Sequence, residues 1–158
     1  LHGSKNIYYQ VNATYFSALG EDEDKLLLAR AIQMFMPGKP QVWYLDLMAG
    51  RNDYEAVRRA GPGGHKEINR TNLTIEQVRE SLNKDVVKKQ LELLRFRNTF
   101  PAFGFGSKLR VFQTDTCLLK LKWESDGCCA LLEANLKDYS FSVYAADSDG
   151  KQRLIIEN

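Results

Sequence analysis

The chain has 158 residues, of which 44% are apolar and 27% charged, enough for one ordinary domain or two small ones. Its net charge of +2 is nearly neutral, and no long block of like charges suggests nucleic acid or an anionic membrane as a partner. No segment approaches the ~20 consecutive apolar residues of a membrane span, and we expect no leader of the basic-then-apolar type. The composition favours a compact soluble protein.

The three cysteines, Cys117, Cys128 and Cys129, indicate a reducing environment. Their odd number leaves one thiol unpaired, and the adjacent pair can hardly form a disulfide without strain. A cytoplasmic location fits this pattern best. Because no cysteine and histidine set has metal-ligand spacing, we expect neither a metal nor a cofactor.

The first part of the chain predicts a helix followed by a buried strand. Apolar residues recur at three- and four-residue steps and predict a helix over residues 22–35: Leu28, Ala31, Ile32 and Phe35. Pro37-Gly38 ends it. The apolar run Gln41 to Leu45 is typical of a strand buried on both faces of a parallel sheet. One such strand cannot form that sheet alone, so the sequence predicts a fragment of a larger domain.

A long polar loop and two further helices follow. Residues 49–72 are rich in glycine and proline, with one helical turn expected near residues 53–59, and loops this long tend to carry function or disorder. Thr74 to Gln77 matches a capping box that opens a short helix ending near Ser81. Asn83 is the predicted cap of a helix over residues 84–97. Its expected inward face consists of Val87, Leu91, Leu94 and either Val86 or Gln90.

From Lys108 onward the apolar spacing changes to two, which predicts strands. Strands are expected at residues 110–114, 119–123, 128–134, 139–145 and 151–156, with tight turns at residues 125–127 and 147–150. They predict a five-stranded antiparallel meander that could fold independently. The predicted fold class is α+β, with a helix-strand-helix segment over residues 1–100, a linker over 101–107 and an all-β domain over 108–158.

Five ordered motifs resemble the sucrose phosphorylase branch of glycoside hydrolase family 13, the α-amylase superfamily. They are YQVNATYFSAL at 9–19, LARAIQ at 28–33, PGKPQVWY at 37–44, AGRND at 49–53 and INR at 68–70. The resemblance implies that residues 1–100 are the C-terminal end of a (β/α)8 barrel, with residues 41–45 as its eighth strand. The long loop would then lie over the barrel face that carries the chemistry.

The resemblance also implies a reaction: reversible transfer of a glucosyl group between an α-glucoside and phosphate, with retention of configuration. One carboxylate attacks the anomeric carbon while a second carboxylic acid protonates the leaving oxygen, and phosphate then takes the sugar. In the family these carboxylates lie upstream of Leu1, so this chain alone is expected to be inactive and to contain no catalytic residue. Asp46 follows the predicted strand, where a supporting role is more common than catalysis.

Four residues are predicted to contact substrate. Tyr9 and Gln10 match a tyrosine-glutamine pair that lines the acceptor and phosphate subsite, where both can hydrogen-bond without adding charge. The alternative is that Tyr9 packs and Gln10 caps a turn. The family usually has an aspartate two residues before this tyrosine, whereas this chain has Ile7, so either the alignment shifts locally or that contact is lost.

His65 and Lys66 complete the predicted set. Lys66 occupies a position where sucrose phosphorylases commonly have an arginine, and lysine keeps the charge but not the planar fork. The pair is more similar to relatives that act on sucrose 6'-phosphate or glucosylglycerate, whose acceptors are anionic. The alternative is that His65 lies on a solvated glycine-rich loop. Asn69 and Arg70 are expected to hold that loop in place.

The aromatic residues Trp43, Tyr44 and Trp123 are predicted to pack in the core rather than to stack on sugars. The expected partners are an α-glucoside and inorganic phosphate as a co-substrate, with no nucleic acid and no membrane, and a homo-oligomer is left open. Two other functions stay open as alternatives. One is an α-glucoside hydrolase or transglucosidase of the same superfamily, and the other is a non-catalytic β-domain module that binds a glycan or another subunit.

Overall fold

The computed structural model describes residues 11–113, 115–125 and 127–158, and it places helices first and a sheet last. The α-helices are α1 Tyr15–Ala18, α2 Glu23–Phe35, α3 Tyr44–Leu47, α4 Tyr54–Ala60, α5 Ile75–Ser81 and α6 Asp85–Thr99. Two 3-10 helices span Gly64–Asn69 and Pro101–Phe103. The strands are β1 Lys108–Gln113, β2 Leu118–Ser125, β3 Cys128–Asn135, β4 Phe141–Ala146 and β5 Gln152–Glu157.

The five strands form one antiparallel sheet in the order β1-β2-β3-β4-β5. This confirms the predicted meander, although Thr114 and Asp126, which belong to a predicted strand end and a predicted turn, lie outside the described residues. Buried and less buried side chains alternate along β2, β3 and β4, so one face of the sheet is covered. In β2 and β3, for example, Leu121 and Trp123 are buried opposite Leu132 and Ala130.

The helices cover that face of the sheet and share a core with it. Trp123 is buried and its indole Nε1 donates to the carbonyl of Phe35, at the end of α2, over 2.8 Å. Phe103, in the first part of the predicted linker, packs edge-on against Phe35 with ring centroids 5.3 Å apart. The prediction that Trp123 packs in the core is therefore confirmed.

Local signals located the starts of α2 and α5 correctly. Asp22 caps α2 through its side chain, and the capping box of Thr74 and Gln77 opens α5 as predicted. The predicted cap of α6 is wrong, because this helix begins at Asp85 and the preceding Lys84 makes no side-chain cap hydrogen bond.

The buried face of α6 also differs from the prediction. Leu91 and Leu94 are only half-buried, whereas Val86, Val87, Gln90, Leu93 and Phe96 are buried. The face is displaced because α6 packs against α2, α3 and the last strand together, so that a polar residue, Gln90, lies at the centre of the contact.

The predicted strand at Gln41–Leu45 is wrong for the described chain. Residues 41–43 belong to no sheet, and the next residues turn into α3. Leu45 is buried at that turn, where its carbonyl accepts a hydrogen bond from Gly50 over 2.8 Å. A strand needs a hydrogen-bonded neighbour, and the described residues provide none beside this segment. Among these same residues, no helix has the length and apolar character required to span a membrane.

Candidate functional site

The predicted substrate contacts fall into two groups. Tyr9 and Gln10 lie outside the described residues, as does Ile7. His65 and Lys66 lie on the 3-10 helix Gly64–Asn69, where the histidine is exposed and the lysine half-buried. The described part of the candidate site is therefore the side that carries His65 and Lys66.

Glycines fold this 3-10 helix back against α4. Gly63 has a φ of 87°, in the left-handed region that favours glycine. At Gly64 a Cβ would lie 2.3 Å from the Cβ of Ala60, so any larger residue requires α4 to move. The Gly-Pro-Gly-Gly run thus allows the close approach of the helix that carries His65 and Lys66.

Asp53 joins the two ends of the long loop. Its main-chain N donates to the carbonyl of Ile68 over 2.8 Å. One carboxylate oxygen caps α4 by accepting from Ala56 N at 2.8 Å, and the other accepts from the Thr71 hydroxyl at 3.3 Å. The loop is consequently an ordered unit in which the start of α4 and the end of the 3-10 helix are held together.

Three side chains of this region bind the main chain just after the YQ motif. Asp46 Oδ1 accepts from Tyr15 N at 2.6 Å, Asn52 Oδ1 accepts from Thr14 N at 2.7 Å, and Asn69 Nδ2 donates to Ala13 O at 3.1 Å. Thr14 is fully buried between them. We call Asp46, Asn52 and Asn69 the clamp. The prediction that Asn69 holds the loop agrees with its bond to Ala13.

The charge of Asp46 is influenced in opposite directions by its surroundings. Burial raises the pKa of this carboxyl, whereas the hydrogen bond from Tyr15 N and the positive charge of Arg30 lower it. Arg30 is 2% exposed, and burial lowers the pKa of its guanidinium while Asp46 raises it. That Asp46 supports the site rather than reacting stays a prediction.

A buried polar pair beneath the clamp links α2 to α6. Arg30 Nε donates to Gln90 Oε1 at 2.8 Å, and Gln90 Nε2 donates to the carbonyl of Leu47 at 2.9 Å. Gln90 is fully buried, so its amide fixes the end of α3, next to Asp46. The sequence had suggested Gln90 only as one option for the inward face of α6.

The prediction that Trp43 and Tyr44 pack in the core is wrong. Their side chains are 50% and 38% exposed. The Trp43 indole donates to the carbonyl of Asn69 at 3.0 Å, and the Tyr44 hydroxyl donates to the carbonyl of Thr71 at 2.5 Å. In the described part of the chain, both aromatic side chains use their polar ends to bind the long loop.

Within the part of the chain that the structure describes, no group of three or more histidine, cysteine or acidic side chains could hold a metal ion. The tethered loop carries the hydrogen-bonding side chain of Asn69 and the ammonium group of Lys66.

No family model matches the chain. The chain is 51% identical over 153 residues to a sucrose 6(F)-phosphate phosphorylase from Ilumatobacter coccineus, which covers 97% of the chain and 29% of that protein. It is also 40% identical over 146 residues to a sucrose phosphorylase from Agrobacterium vitis, covering 85% of the chain and 29% of the relative.

A solved structure agrees with these relatives. The sucrose 6F-phosphate phosphorylase from Thermoanaerobacter thermosaccharolyticum matches with a TM-score of 0.84 and 38% identity, covering 94% of the chain and 29% of that protein. The chain is therefore homologous to the C-terminal part of sucrose phosphorylase-like enzymes, as its motifs predicted, and spans about 29% of the length of these relatives.

Proposed function

We propose that the chain is the C-terminal part of a retaining glucosyl-transferring phosphorylase of glycoside hydrolase family 13. The parent enzyme cleaves sucrose or a related α-glucoside with phosphate and releases α-glucose 1-phosphate. The observation that carries this proposal is the 51% identity to a sucrose 6(F)-phosphate phosphorylase over 97% of the chain. The hydrolase and transglucosidase alternative has no comparable support.

The division of the chain follows from the same proposal. Residues 1–100 complete a (β/α)8 barrel in the parent enzyme, residues 101–107 link it to the sheet, and residues 108–158 form the C-terminal domain. Large apolar side chains that stay exposed in the first hundred residues support a missing neighbour, among them Val11 at 83%, Trp43 at 50% and Ile75 at 67%. The two carboxyl groups that react belong to the parent's preceding residues, so the chain alone is inactive.

The role of this chain is recognition on the acceptor side, with Tyr9, Gln10, His65 and Lys66 as the binding residues. Lys66 supplies a compact positive charge where an anionic acceptor such as fructose 6-phosphate leaves or enters. The tethered 3-10 helix that carries Lys66 gives this charge a defined location. The substrates are then an anionic α-glucoside and inorganic phosphate. The enzyme acts in the cytoplasm and binds neither nucleic acid nor membrane. A homo-oligomer is one form of assembly.

The parent enzyme tests the activity directly. Sucrose, sucrose 6'-phosphate and glucosylglycerate are each incubated with and without phosphate, and α-glucose 1-phosphate and free glucose are measured. We expect phosphate-dependent release of α-glucose 1-phosphate, fastest from sucrose 6'-phosphate. Equal glucose release without phosphate would instead identify a hydrolase. No cleavage by the parent, together with saccharide binding by the 158-residue chain through its sheet, would identify a binding module.

The variant Lys66→Gln tests the binding role. Removing one charge-assisted contact worth about 1.5–3 kcal/mol should lower kcat/KM for sucrose 6'-phosphate by roughly tenfold to a hundredfold, and that for sucrose much less. Lys137→Gln, at an exposed turn, is the matched control for the loss of a charge. An equal loss for both donors would contradict the role of Lys66 in recognising the phosphate.

A further inference from the structure

We propose that Asn69 and Trp43 are positioning residues that set the preference for an anionic acceptor by fixing the helix that carries His65 and Lys66. This inference rests on the proposed function and adds to it the residues that act through Lys66. It concerns the C-terminal end of the 3-10 helix Gly64–Asn69, where the helix is attached to the rest of the fold.

Three hydrogen bonds converge on the last two residues of this helix. Asn69 Nδ2 donates to the carbonyl of Ala13 at 3.1 Å, and the Trp43 indole donates to the carbonyl of Asn69 at 3.0 Å. The main-chain N of Asp53 donates to the carbonyl of Ile68 at 2.8 Å. These donors and acceptors come from three separate segments, so the helix end is held from three directions.

The other end of the helix has a different kind of attachment. It begins after Gly63 in the left-handed region, and Gly64 lies too close to Ala60 for a side chain. Glycines allow a turn but do not hold it, because they have the greatest backbone freedom. The bonds at Ile68 and Asn69 therefore add to the packing of the helix on α4 in holding Lys66 in place.

The clamp also holds the described segment that follows the YQ motif in the sequence. The carbonyl that Asn69 binds belongs to Ala13, three positions after Gln10 in the sequence. Asp46 and Asn52 bind the next two main-chain N–H groups, those of Tyr15 and Thr14. One side chain, Asn69, thus joins the segment that follows the YQ motif to the helix that carries His65 and Lys66.

Trp43 has this role because its indole binds the carbonyl of the last residue of the helix. Half of its surface is open to solvent, and its ring lies against Tyr44 with centroids 4.9 Å apart. A phenylalanine keeps an aromatic ring beside Tyr44 and removes the donor to Asn69. This makes Trp43→Phe a variant that tests the bond without creating a cavity.

The experiment measures discrimination between two donors in the parent enzyme. The quantity is kcat/KM for sucrose 6'-phosphate divided by kcat/KM for sucrose. Misplacing a contacting group by about 1 Å can lower the reaction rate about a hundredfold. We expect Asn69→Ala to lower this ratio about tenfold and Trp43→Phe about threefold. Both effects should come mainly from a higher KM for the phosphorylated donor. Asn83→Ala, an exposed asparagine outside the clamp, is the control.

A double variant separates positioning from general stability. If Asn69 acts through Lys66, then adding Asn69→Ala to Lys66→Gln lowers the ratio no further than Lys66→Gln alone. A proportional loss for both donors in Asn69→Ala and Trp43→Phe would show a purely structural role and overturn the inference, as would an unchanged ratio. A wild-type parent without phosphate-dependent cleavage would instead overturn the proposed function.

Discussion

At the scale of single residues, Asp46 has the most consequential surroundings in the described chain. Its carboxylate binds Tyr15 N over 2.6 Å, so it contributes to the clamp. Burial nevertheless makes its charged form less favourable and raises its pKa, with only partial compensation from that hydrogen bond and from Arg30. This position needs a hydrogen-bond acceptor for Tyr15 N but not a negative charge. The stability of the folded chain therefore depends on the ionisation of Asp46, and so on pH.

The sign of that dependence can be tested with Asp46→Asn, which keeps the acceptor oxygen. The pKa of the Asp46 carboxyl in the folded chain is raised above its ordinary value of 3.8, so the folded chain keeps a proton that the unfolded chain has released. The contribution of Asp46 to the free energy of unfolding therefore decreases as pH rises from 3.8. The asparagine does not titrate. We therefore expect the Tm of the variant to increase relative to wild type from pH 3.8 towards neutral pH.

Thermal unfolding at a series of pH values measures this difference. Asp149→Asn, in an exposed turn, controls for the loss of one negative charge. A difference in Tm between Asp46→Asn and wild type that stays constant, or that shifts in favour of wild type as pH rises, would refute the assigned direction of the shift.

At the scale of elements, α5 depends on its first turn. Thr74 Oγ1 accepts from Gln77 N at 3.2 Å, and Gln77 Oε1 accepts from Thr74 N at 2.8 Å. Most of this seven-residue helix is exposed, with Ser81 its only buried member, so packing contributes little to its formation. The reciprocal cap is consequently a large part of what stabilises α5.

Thr74→Ala is expected to lower the free energy of unfolding by about 1 kcal/mol, since it removes the cap of the helix. Urea denaturation measures the change. Thr99→Ala is the same type of substitution at the exposed end of α6. It should change the free energy of unfolding by less than about 0.5 kcal/mol. Equal effects of the two substitutions would mean that the cap of α5 has no special importance.

The contrast between α5 and the predicted strand at residues 41–45 shows what the sequence can predict. The capping box of Thr74 and Gln77 is a local signal, and so is the alternation around Trp123, and both predictions were correct. A strand depends on neighbours far along the chain, and the segment 41–45 carries the apolar composition of a strand without a partner among the described residues.

The site shows the same limit. The motifs located the loop that carries His65 and Lys66, and AGRND marked residues 49–53 as characteristic. That Asn52 binds Thr14 and Asp53 binds Thr71 depends on tertiary distances that no periodicity encodes. Trp43 was misassigned for a similar reason, because an aromatic residue in an apolar run has the same composition whether its ring faces a core or a loop.

At the scale of the whole molecule, the sheet and the helices depend on each other. The covered face of the sheet contacts α2, α6 and the 3-10 helix Pro101–Phe103. Arg97 adds a polar connection: its guanidinium lies 4.4 Å from the centroid of the Phe103 ring and donates to the carbonyl of Gly38 at 2.9 Å. Without the helices, the apolar face of the sheet would be open to water.

We therefore expect residues 108–158 produced alone to lack a cooperative unfolding transition and to bind a hydrophobic dye, because Trp123 and its neighbours lose their cover. Trp123 is the only tryptophan of this segment, so its fluorescence reports the change. The whole chain with Trp43→Phe provides the reference for a buried Trp123. Blue-shifted emission and cooperative unfolding of the isolated segment would show instead that the sheet folds independently.

The hydrogen bond between Trp123 and Phe35 has a consequence for biosynthesis, since it joins residues 88 positions apart. A ribosome adds about 5–20 residues per second, so several seconds pass between the two. During that interval the end of α2 has left the ribosome without the sheet that packs against it. We expect slower translation of the sheet region to prolong this exposure and to increase aggregation.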